Sequence, residues 1–531
     1  MKPNGRNILK FSYKKLWKRL IDLGLKKDDL RKMSGLSSRT IAKLGRGDTI
    51  TTEPILKICT VLSCTPNDIM EIENEEGLTL TESSHYFEYS LFSSEKRSHS
   101  KGKNDVYFID LFAGIGGIRK GFEIACQTAN LTPHCVFTSE IKPHAISILR
   151  QNHPEEEVYG DITKIDAEII PDFDFLLAGF PCQAFSAAGK RLGFLDTRGT
   201  LFFEVERIIK EKQPFGFILE NVEGLVNHDK ETPKDPIGRT LKTILQHLDA
   251  LGYKISWKVL NAKYFGVPQD RKRIYIVGTK SEKPNLEQFP QSIRCLSSVL
   301  ESGLPTENSL FIRKILEHYP VELLYGKSIK DKRGGKNNIH SWDIEFKGPV
   351  SDAQKALLAL ILRERRKKHW AEEFNIDWMD GMPLTLDQIK TFYNVPHLQE
   401  MLDDLVAKKY LKLEHPKKKI GNSRIQDDSL PLGYNIVAGK MSYEISKILS
   451  PNEVAPTLVA MDMQHLFVID NGGLRPLSLR EGLRIFGYPD DFRFDIERDL
   501  GFDLLGNTVV VPVIASVASR VLDIYKREVK K

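Results

Sequence analysis

Apolar residues recur at three- and four-residue spacings through residues 11–72: Leu16, Leu20 and Leu23, then Leu30 and Met33, Ile41 and Leu44, and Ile55, Ile58 and Leu62. That period predicts several short helices. Ser34-Gly35-Leu36-Ser37 supplies a tight turn with a serine at an N-cap, so residues 28–46 read as a helix-turn-helix. From Val106 the pattern changes to short, nearly continuous apolar runs, VYFIDLF, CVFTSE, FDFLLAGF, FGFILEN and RIYIVGT, with helix-length stretches between them. Strands alternating with helices predict an α/β domain on a mostly parallel sheet. The pattern stops near Lys280. From there to about Gly439 come basic patches (RERRKK, HPKKK) and amphipathic helices near 353–368 and 385–409, the reading of an inserted module. From Met441 to Tyr525 shorter elements resume and end in an apolar helix expected to return to the sheet.

The expected division is therefore 1–72, a helix-turn-helix domain; 73–104, a linker rich in Glu, Ser and Lys; 105–280, the first part of the α/β domain; 281–474, the inserted region; and 475–531, the closing part of the α/β domain. With 531 residues, 41% of them hydrophobic and 28% charged, the chain can build several cores, which excludes wholesale disorder. Runs such as VVVPVIASVA fall short of the ~20 residues of a membrane span, and no apolar leader follows Met1, so a cytoplasmic protein with no membrane partner is expected. Six cysteines without a CxxC pair argue against a disulfide framework or a structural zinc site, and the scattered histidines show no metal-ligand spacing. Residues 1–72 hold fifteen Lys/Arg against seven Asp/Glu, an excess larger than the chain's whole net charge of +6. A basic face attracts polyanions by counterion release, so nucleic acid is the first partner to consider, beside the plainer reading of a solvated lysine-rich surface. The 28–46 segment resembles the Cro/repressor-type DNA-binding domain. In that geometry Ser37, Ser38, Arg39 and Lys43 face the major groove.

The chemistry concentrates where strands end. Asp110 to Gly117, DLFAGIGG, follows a buried strand and opens a helix, so Gly114, Gly116 and Gly117 let backbone N–H groups approach a ligand closely. Glu140 closes the next strand, where an acid can take ribose hydroxyls, and Asp161 in YGDITKI stands ready for an adenine amino group. In GFPCQAFS, Cys182 directly follows a strand and a stiffening proline, at the sheet edge where open α/β folds bind ligands. Alone, such a cysteine reads equally as a small buried hydrophobe. Glu220 ends the next strand and Arg271 and Arg273 open another, so a thiol, a carboxyl and two guanidiniums can converge. Singly, these are a helix cap and a solvated face.

Taken in order, FIDLFAGIGGIRKGFE, TSE, GDIT, GFPCQAFSAAGKRLGF, ENVEGL, QDRKRIYIVG, RPLSLREGLRIFGYPDDF and LLGNTVVVPVIASV closely resemble the motifs of the DNA (cytosine-5) methyltransferase family. They cover 106–280 and about 441–522, roughly half of the chain. The resemblance implies a Rossmann-like S-adenosylmethionine-dependent catalytic domain with an inserted target-recognition domain at 281–474, carrying an all-α N-terminal helix-turn-helix domain. It implies that Cys182 attacks carbon 6 of a flipped cytosine, that Glu220 bonds ring nitrogen 3 and the amino group, that Arg273 holds oxygen 2, and that Arg271 orients the base and lowers the thiol pKa. Phe112, Gly114, Gly116, Gly117, Glu140, Asp161, Pro181 and Asn507 would bind the cofactor S-adenosylmethionine. Lys190 and Arg191, in a candidate lid between Gly189 and Gly193, and Thr457 in Ala455-Pro456-Thr457-Leu458 would meet DNA. Two departures stand out: Met461-Asp462-Met463-Gln464 where a Gly-rich run is usual, and Ser478-Leu479 where Thr-Pro is usual. The segment 385–409 followed by Tyr410-Leu411-Lys412-Leu413 looks like a winged helix. The implied function is a site-specific DNA (cytosine-5) methyltransferase of a restriction-modification system, with double-stranded DNA as substrate and a cognate restriction endonuclease as functional partner. The N-terminal domain would bind the enzyme's own promoter DNA. The alternatives are an RNA cytosine methyltransferase and a DNA-binding regulator with an inactive methyltransferase fold.

Overall fold

The structure is a computed structural model that describes residues 10–22, 25–46, 48, 51–62, 64, 66–73, 102–181, 201–376, 381–420, 423–437, 443–460 and 462–529. The chain divides into two units, residues 1–100 and 101–531. In the first, helices Lys14–Asp22, Lys27–Ser34, Ser38–Arg46 and Thr52–Leu62 surround a core of Leu16, Leu20, Leu30, Leu36, Leu44, Ile58, Leu62 and Ile69. The second and third helices stand where the periodicity put the helix-turn-helix. Gly35 at φ 63° makes the left-handed C-cap between them. Strands β1 (Lys10–Ser12) and β2 (Glu71–Glu73) pair antiparallel and close this unit, an element that three-residue runs do not reveal in the sequence. Met33 departs from its expected place and is exposed.

The second unit is built on a seven-stranded sheet: β3 (Asp105–Leu111), β4 (Thr132–Ser139), β5 (Val158–Tyr159), β6 (Phe175–Ala178), β7 (Gly216–Val222), β8 (Lys254–Asn261) and β9 (Lys272–Thr279). Their order is β5-β4-β3-β6-β7-β9-β8, parallel up to β7, with β9 antiparallel to both neighbours. Alternate residues of the apolar strands feed two cores, as burial on both faces requires. Phe108, Phe175, Leu177, Ile218, Tyr275 and Val277 pack with helices Gly117–Thr128 and Val511–Val529. Ile109, Leu111, Leu176, Phe217, Leu219 and Ile276 pack with helices Leu201–Lys212 and Arg239–Ala250. The final helix returns to the sheet as expected, and its apolar residues from Val511 to Tyr525 lie in the first core.

Strand order reverses at β3, between β4 and β6. Open α/β sheets bind ligands in the crevice at the carboxyl ends of the strands flanking such a point. Because β9 runs the other way, its beginning lies beside the end of β7: Arg273 pairs with Val222, and Glu220 with Tyr275. Strand ends carrying Phe112, Glu140, Gly179 and Glu220 thus share one edge with the strand start carrying Arg273.

The inserted region forms a second sheet, β11 (Asn338–Ile339), β10 (Ser328–Ile329), β16 (Lys447–Ile448), β17 (Leu466–Asp470) and β18 (Gly473–Pro476), in that order. Within it, 342–436 has a core of its own around Leu357, Leu358, Ile361, Leu402, Leu405 and Tyr434. Ala455, Leu458, Met463, Leu466 and Val468 already belong to the first core of the catalytic sheet, and residue 474 falls inside β18.

Candidate active site

The loop after β3 is held in a conformation that few side chains tolerate. Gly114 and Gly116 have φ of 55° and 80°, and Phe112, with a bulky side chain, has φ 55°. A left-handed phenylalanine costs energy, and such strain collects at ligand sites. Its neighbours fix it: Ala113 N–H donates to the Ser139 carbonyl (3.1 Å), and Gly114 N–H donates to Glu140 Oε2 (2.7 Å). Glu140 Oε1 accepts the N–H groups of Ile141 and Lys142, each at 2.8 Å. Oε2, with a single N–H donor, retains acceptor capacity for a hydroxyl. Ser139 Oγ donates to the Gly160 carbonyl (2.7 Å), which brings Asp161 toward the same strand ends. Asp161 Oδ1 caps the turn Ile162–Lys164 by accepting from Thr163 N–H and Oγ1.

Beneath this loop Asp110 is fully buried, and neither of its carboxylate oxygens has a hydrogen-bond partner among the described residues. Burial pushes its pKa up to about 8, against the pull of Arg119. An orphaned buried acid under a glycine-rich turn, beside a carboxylate suited to a ribose, fits a cationic nucleoside cofactor such as S-adenosylmethionine. The sequence signal for Asp110 is an acid among the apolar residues near the end of β3, directly before the glycine-rich turn. Gly117 opens the helix that follows, and a Cβ there would meet Tyr488 Oη at 2.6 Å and Thr508 Oγ1 at 2.8 Å. These two hydroxyls bond each other at 2.6 Å. Asn507 is exposed at the end of helix Arg498–Asn507, with its amide donating to the Asp503 carbonyl. Pro181 is exposed at the end of the described segment.

On the same edge Glu220 is buried, and Arg273 Nε lies 3.3 Å from its Oε1. Burial raises the Glu220 pKa while Arg273 and Arg271 oppose the rise. Asn221 Nδ2 donates to the Phe180 carbonyl (3.1 Å), tying β7 to the segment that leads into Cys182. A Cβ on Gly179 would sit 3.7 Å from Glu220 Oε2, so the strand that leads toward Cys182 and the carboxyl are adjacent. Asn221 was missed as a site residue, although its place beside Glu220 in the ENV motif was visible. Cys182, Lys190 and Arg191 lie in 182–200, outside the described residues.

Arg271 is held by segments from the far end of the chain. Its guanidinium donates to the backbone carbonyls of Leu458 (2.8 Å), Gly506 (3.1 Å) and Thr508 (2.9 Å), and it lies over the Phe486 ring. Both terminal nitrogens are thus engaged with backbone, and burial drives the pKa down to about 9. Arg271 fastens β9 to segments from the far end of the chain. Thr457 is exposed, but its hydroxyl donates to the Asp270 carbonyl (2.6 Å), so it too supports the approach to β9. Of the two departures from the usual motifs, Met463 fills the core, and Ser478 caps the helix Leu479–Ile485 by accepting from Glu481 N–H. In the other unit Ser37 caps helix Ser38–Arg46, with its Oγ accepting from Thr40 N–H (3.1 Å); Ser38 and Arg39 are exposed and Lys43 half-buried.

Comparison with known proteins agrees with this geometry. The Cro/C1-type helix-turn-helix DNA-binding domain profile matches residues 15–75. Type II methyltransferase M.NlaIV of Neisseria lactamica is 66% identical over 417 residues, 78% of this chain and 99% of the relative. Type II methyltransferase M.NgoBV of Neisseria gonorrhoeae is 64% identical over the same shares, and M.BanI of Aneurinibacillus aneurinilyticus is 40% identical over 80% of this chain and 97% of its own. The profile of C-5 cytosine-specific DNA methylases spans residues 106–523, and with the carboxyl, the guanidinium and the glycine-rich turn on one sheet edge, the chain belongs to that family of methyltransferases.

Proposed function

We propose that the chain methylates carbon 5 of cytosine at a short site in double-stranded DNA, as the modification enzyme of a restriction-modification system. The observation that carries the reading is the juxtaposition of Glu220, Arg273 and the strand leading into Cys182, on the edge that also holds the glycine-rich turn. Carbon 5 of cytosine is too weak a nucleophile to take a methyl group unaided, and a transient covalent bond to the ring relieves this. The Cys182 thiolate attacks carbon 6. Glu220, whose pKa burial raises, bonds ring nitrogen 3 and the amino group and stabilises the electrons that arrive in the ring, while Arg273 holds both Glu220 and oxygen 2. S-adenosylmethionine, when bound, supplies an electrophilic methyl group to carbon 5 and leaves as the thioether. Removal of the carbon 5 proton then expels Cys182 and restores the aromatic ring.

Glu140, Asp161 and Asp110 would hold the ribose, the adenine amino group and the cationic end of the cofactor, with Phe112 against the adenine. Arg271 and Asn221 act as positioning residues. A base inside the duplex exposes no face to the thiol, so the cytosine is flipped out at a cost of a few kcal/mol, with the segment of Lys190 and Arg191 as lid. The region 281–474 reads the site, and the helix-turn-helix binds promoter DNA through Ser37, Ser38, Arg39 and Lys43. In a cell the enzyme works beside a restriction endonuclease of the same specificity, in the cytoplasm.

Tritiated methyl transfer to unmodified plasmid, followed by bisulfite sequencing, tests the reading. Methylation at one short motif, abolished in Cys182→Ala, is expected; transfer to tRNA in preference to duplex DNA would overturn it. Repression of a reporter behind the gene's own promoter should be lost in a Ser38→Ala, Arg39→Ala variant. Unchanged promoter activity on deleting residues 1–72 would remove the regulatory part alone.

A further inference from the structure

The two basic patches of the inserted region have opposite fates. In RERRKK, Arg365 is buried and bonded to Asn435 Oδ1, and the buried Glu364 pairs with Arg363 and Lys367. That patch gives up Arg365 to the interior and commits Arg363 and Lys367 to Glu364, although Arg363, Lys367 and Lys368 stay exposed. The other forms a hairpin, β13 (Lys417–Ile420) with β14 (Ser423–Gln426), which projects between β12 (Leu411–Glu414) and β15 (Gly433–Ile436). With the helices Asp352–Glu364, Leu386–Lys390 and Leu398–Ala407, and Leu384 bridging to Tyr434 of β15, this is the connectivity of a winged helix around its own core.

In a helix-turn-helix the last helix of the trio ordinarily enters the major groove. Here that helix, LQEMLDDLVA, carries Glu400, Asp403 and Asp404 and no cation, and its exposed side presents Gln399, Glu400 and Asp403. Driving the two exposed carboxylates between two phosphate rails is electrostatically unfavourable. The hairpin is the reverse: four cations and no acid in ten residues. Side chains alternate across a strand, so the register places Lys417, Lys419, Arg424 and Gln426 on one face. Lys419 and Arg424 stand directly opposite each other. A polyanion lying along this face is attracted to both cations, and Lys417 beside them lies 4.0 Å from Glu414. Lys418, on the other face, pairs with Asp427.

We propose that this hairpin is a wing that grips the phosphate backbone of duplex DNA beside the target site, with the acidic helix held out of the groove. The inference rests on the reading of duplex DNA as substrate. The test uses the full chain and a fluorescein-labelled duplex carrying the methylation site, with anisotropy titrations between about 50 and 200 mM salt. In a Lys417→Gln, Lys419→Gln, Arg424→Gln variant the slope of log K against log salt should fall by roughly 2 to 3, at about 0.9 for each phosphate no longer neutralised. The KM for DNA in methyl transfer should rise about tenfold or more with kcat unchanged. Glu400→Gln should bind as tightly as wild type or more tightly. The helix-turn-helix unit contributes equally in every variant and cancels from the difference. An unchanged slope and KM in the triple variant would overturn the proposal, as would loss of DNA binding in Glu400→Gln. Binding without methylation by the wild type would instead sink the enzymatic reading and leave the salt slope as the measure of the wing.

Discussion

Replacing Arg271 by Met separates two roles that a family motif cannot tell apart. The methionine keeps most of the volume and removes the donors to the Leu458, Gly506 and Thr508 carbonyls. Each buried acceptor left without a partner costs about 1–3 kcal/mol. The loss is offset in part because burial already disfavours the guanidinium, as its depressed pKa records. The net penalty is then about 3–5 kcal/mol, the range found when one partner of a buried charged network is removed. At roughly 2 °C per kcal/mol for a unit of this size, scanning calorimetry should show the transition of residues 101–531 lowered by about 6–10 °C. The transition of residues 1–100 should stay in place. Arg271→Lys should recover less than half of the loss, since one ammonium cannot span three carbonyls. A Met variant that melts within about 2 °C of wild type, yet loses kcat by about 100-fold or more, would refute the fastening role and return Arg271 to the base itself.

Asp110 holds its proton more tightly folded than unfolded, so its contribution is fully present below its ordinary pKa of 3.8 and is lost as pH rises toward about 8. Cofactor-free Asp110→Asn should therefore gain Tm over wild type as pH goes from 5 to 8, while binding S-adenosylmethionine more weakly by calorimetric titration; a constant Tm gap would contradict the assignment. Glu220→Gln should lower kcat by about 10²–10⁴ with cofactor affinity unchanged, read by single-turnover transfer; full activity would remove Glu220 from the chemistry. Gly117→Ala, which presses a methyl against Tyr488 and Thr508, should cost about 1–3 kcal/mol in chemical denaturation and weaken cofactor binding, and a neutral result would mean that the Tyr488–Thr508 pair yields easily.

What the sequence made legible follows the range of the forces involved. Strands β3, β6, β7 and β9 are buried on both faces and stand out as unbroken apolar runs. Strand β8, KISWKVLN, is an edge strand whose polar and half-buried positions hide it, and β5 has only two residues. Glu220 and Arg273 could be paired from their motifs because adjacent strands bring them together. The true partners of Arg271 could not, since they lie 187 to 237 residues downstream and are carbonyls, which every residue possesses. Asn507 shows the converse: its motif identifies it, yet its amide turns back to Asp503. The division of the basic patches was equally hidden, because Arg365 and Lys419 differ in burial and not in kind.

The core that joins β3 to the helix Val511–Val529 also sets an order of events during synthesis. Residues 106–280 leave the ribosome with one face of their sheet covered only in part, by helix Gly117–Thr128, and the helix that completes the cover follows only after some 240 further residues, roughly 10–50 s at about 5–20 residues per second. The N-terminal unit has no such wait, because its hydrophobic core, among the described residues, lies between Tyr13 and Ile69. A nascent chain can therefore fold its helix-turn-helix unit well before it can hold a catalytic site together, and a chain truncated after β2 but before the helix Val511–Val529 would retain the first capacity and lack the second.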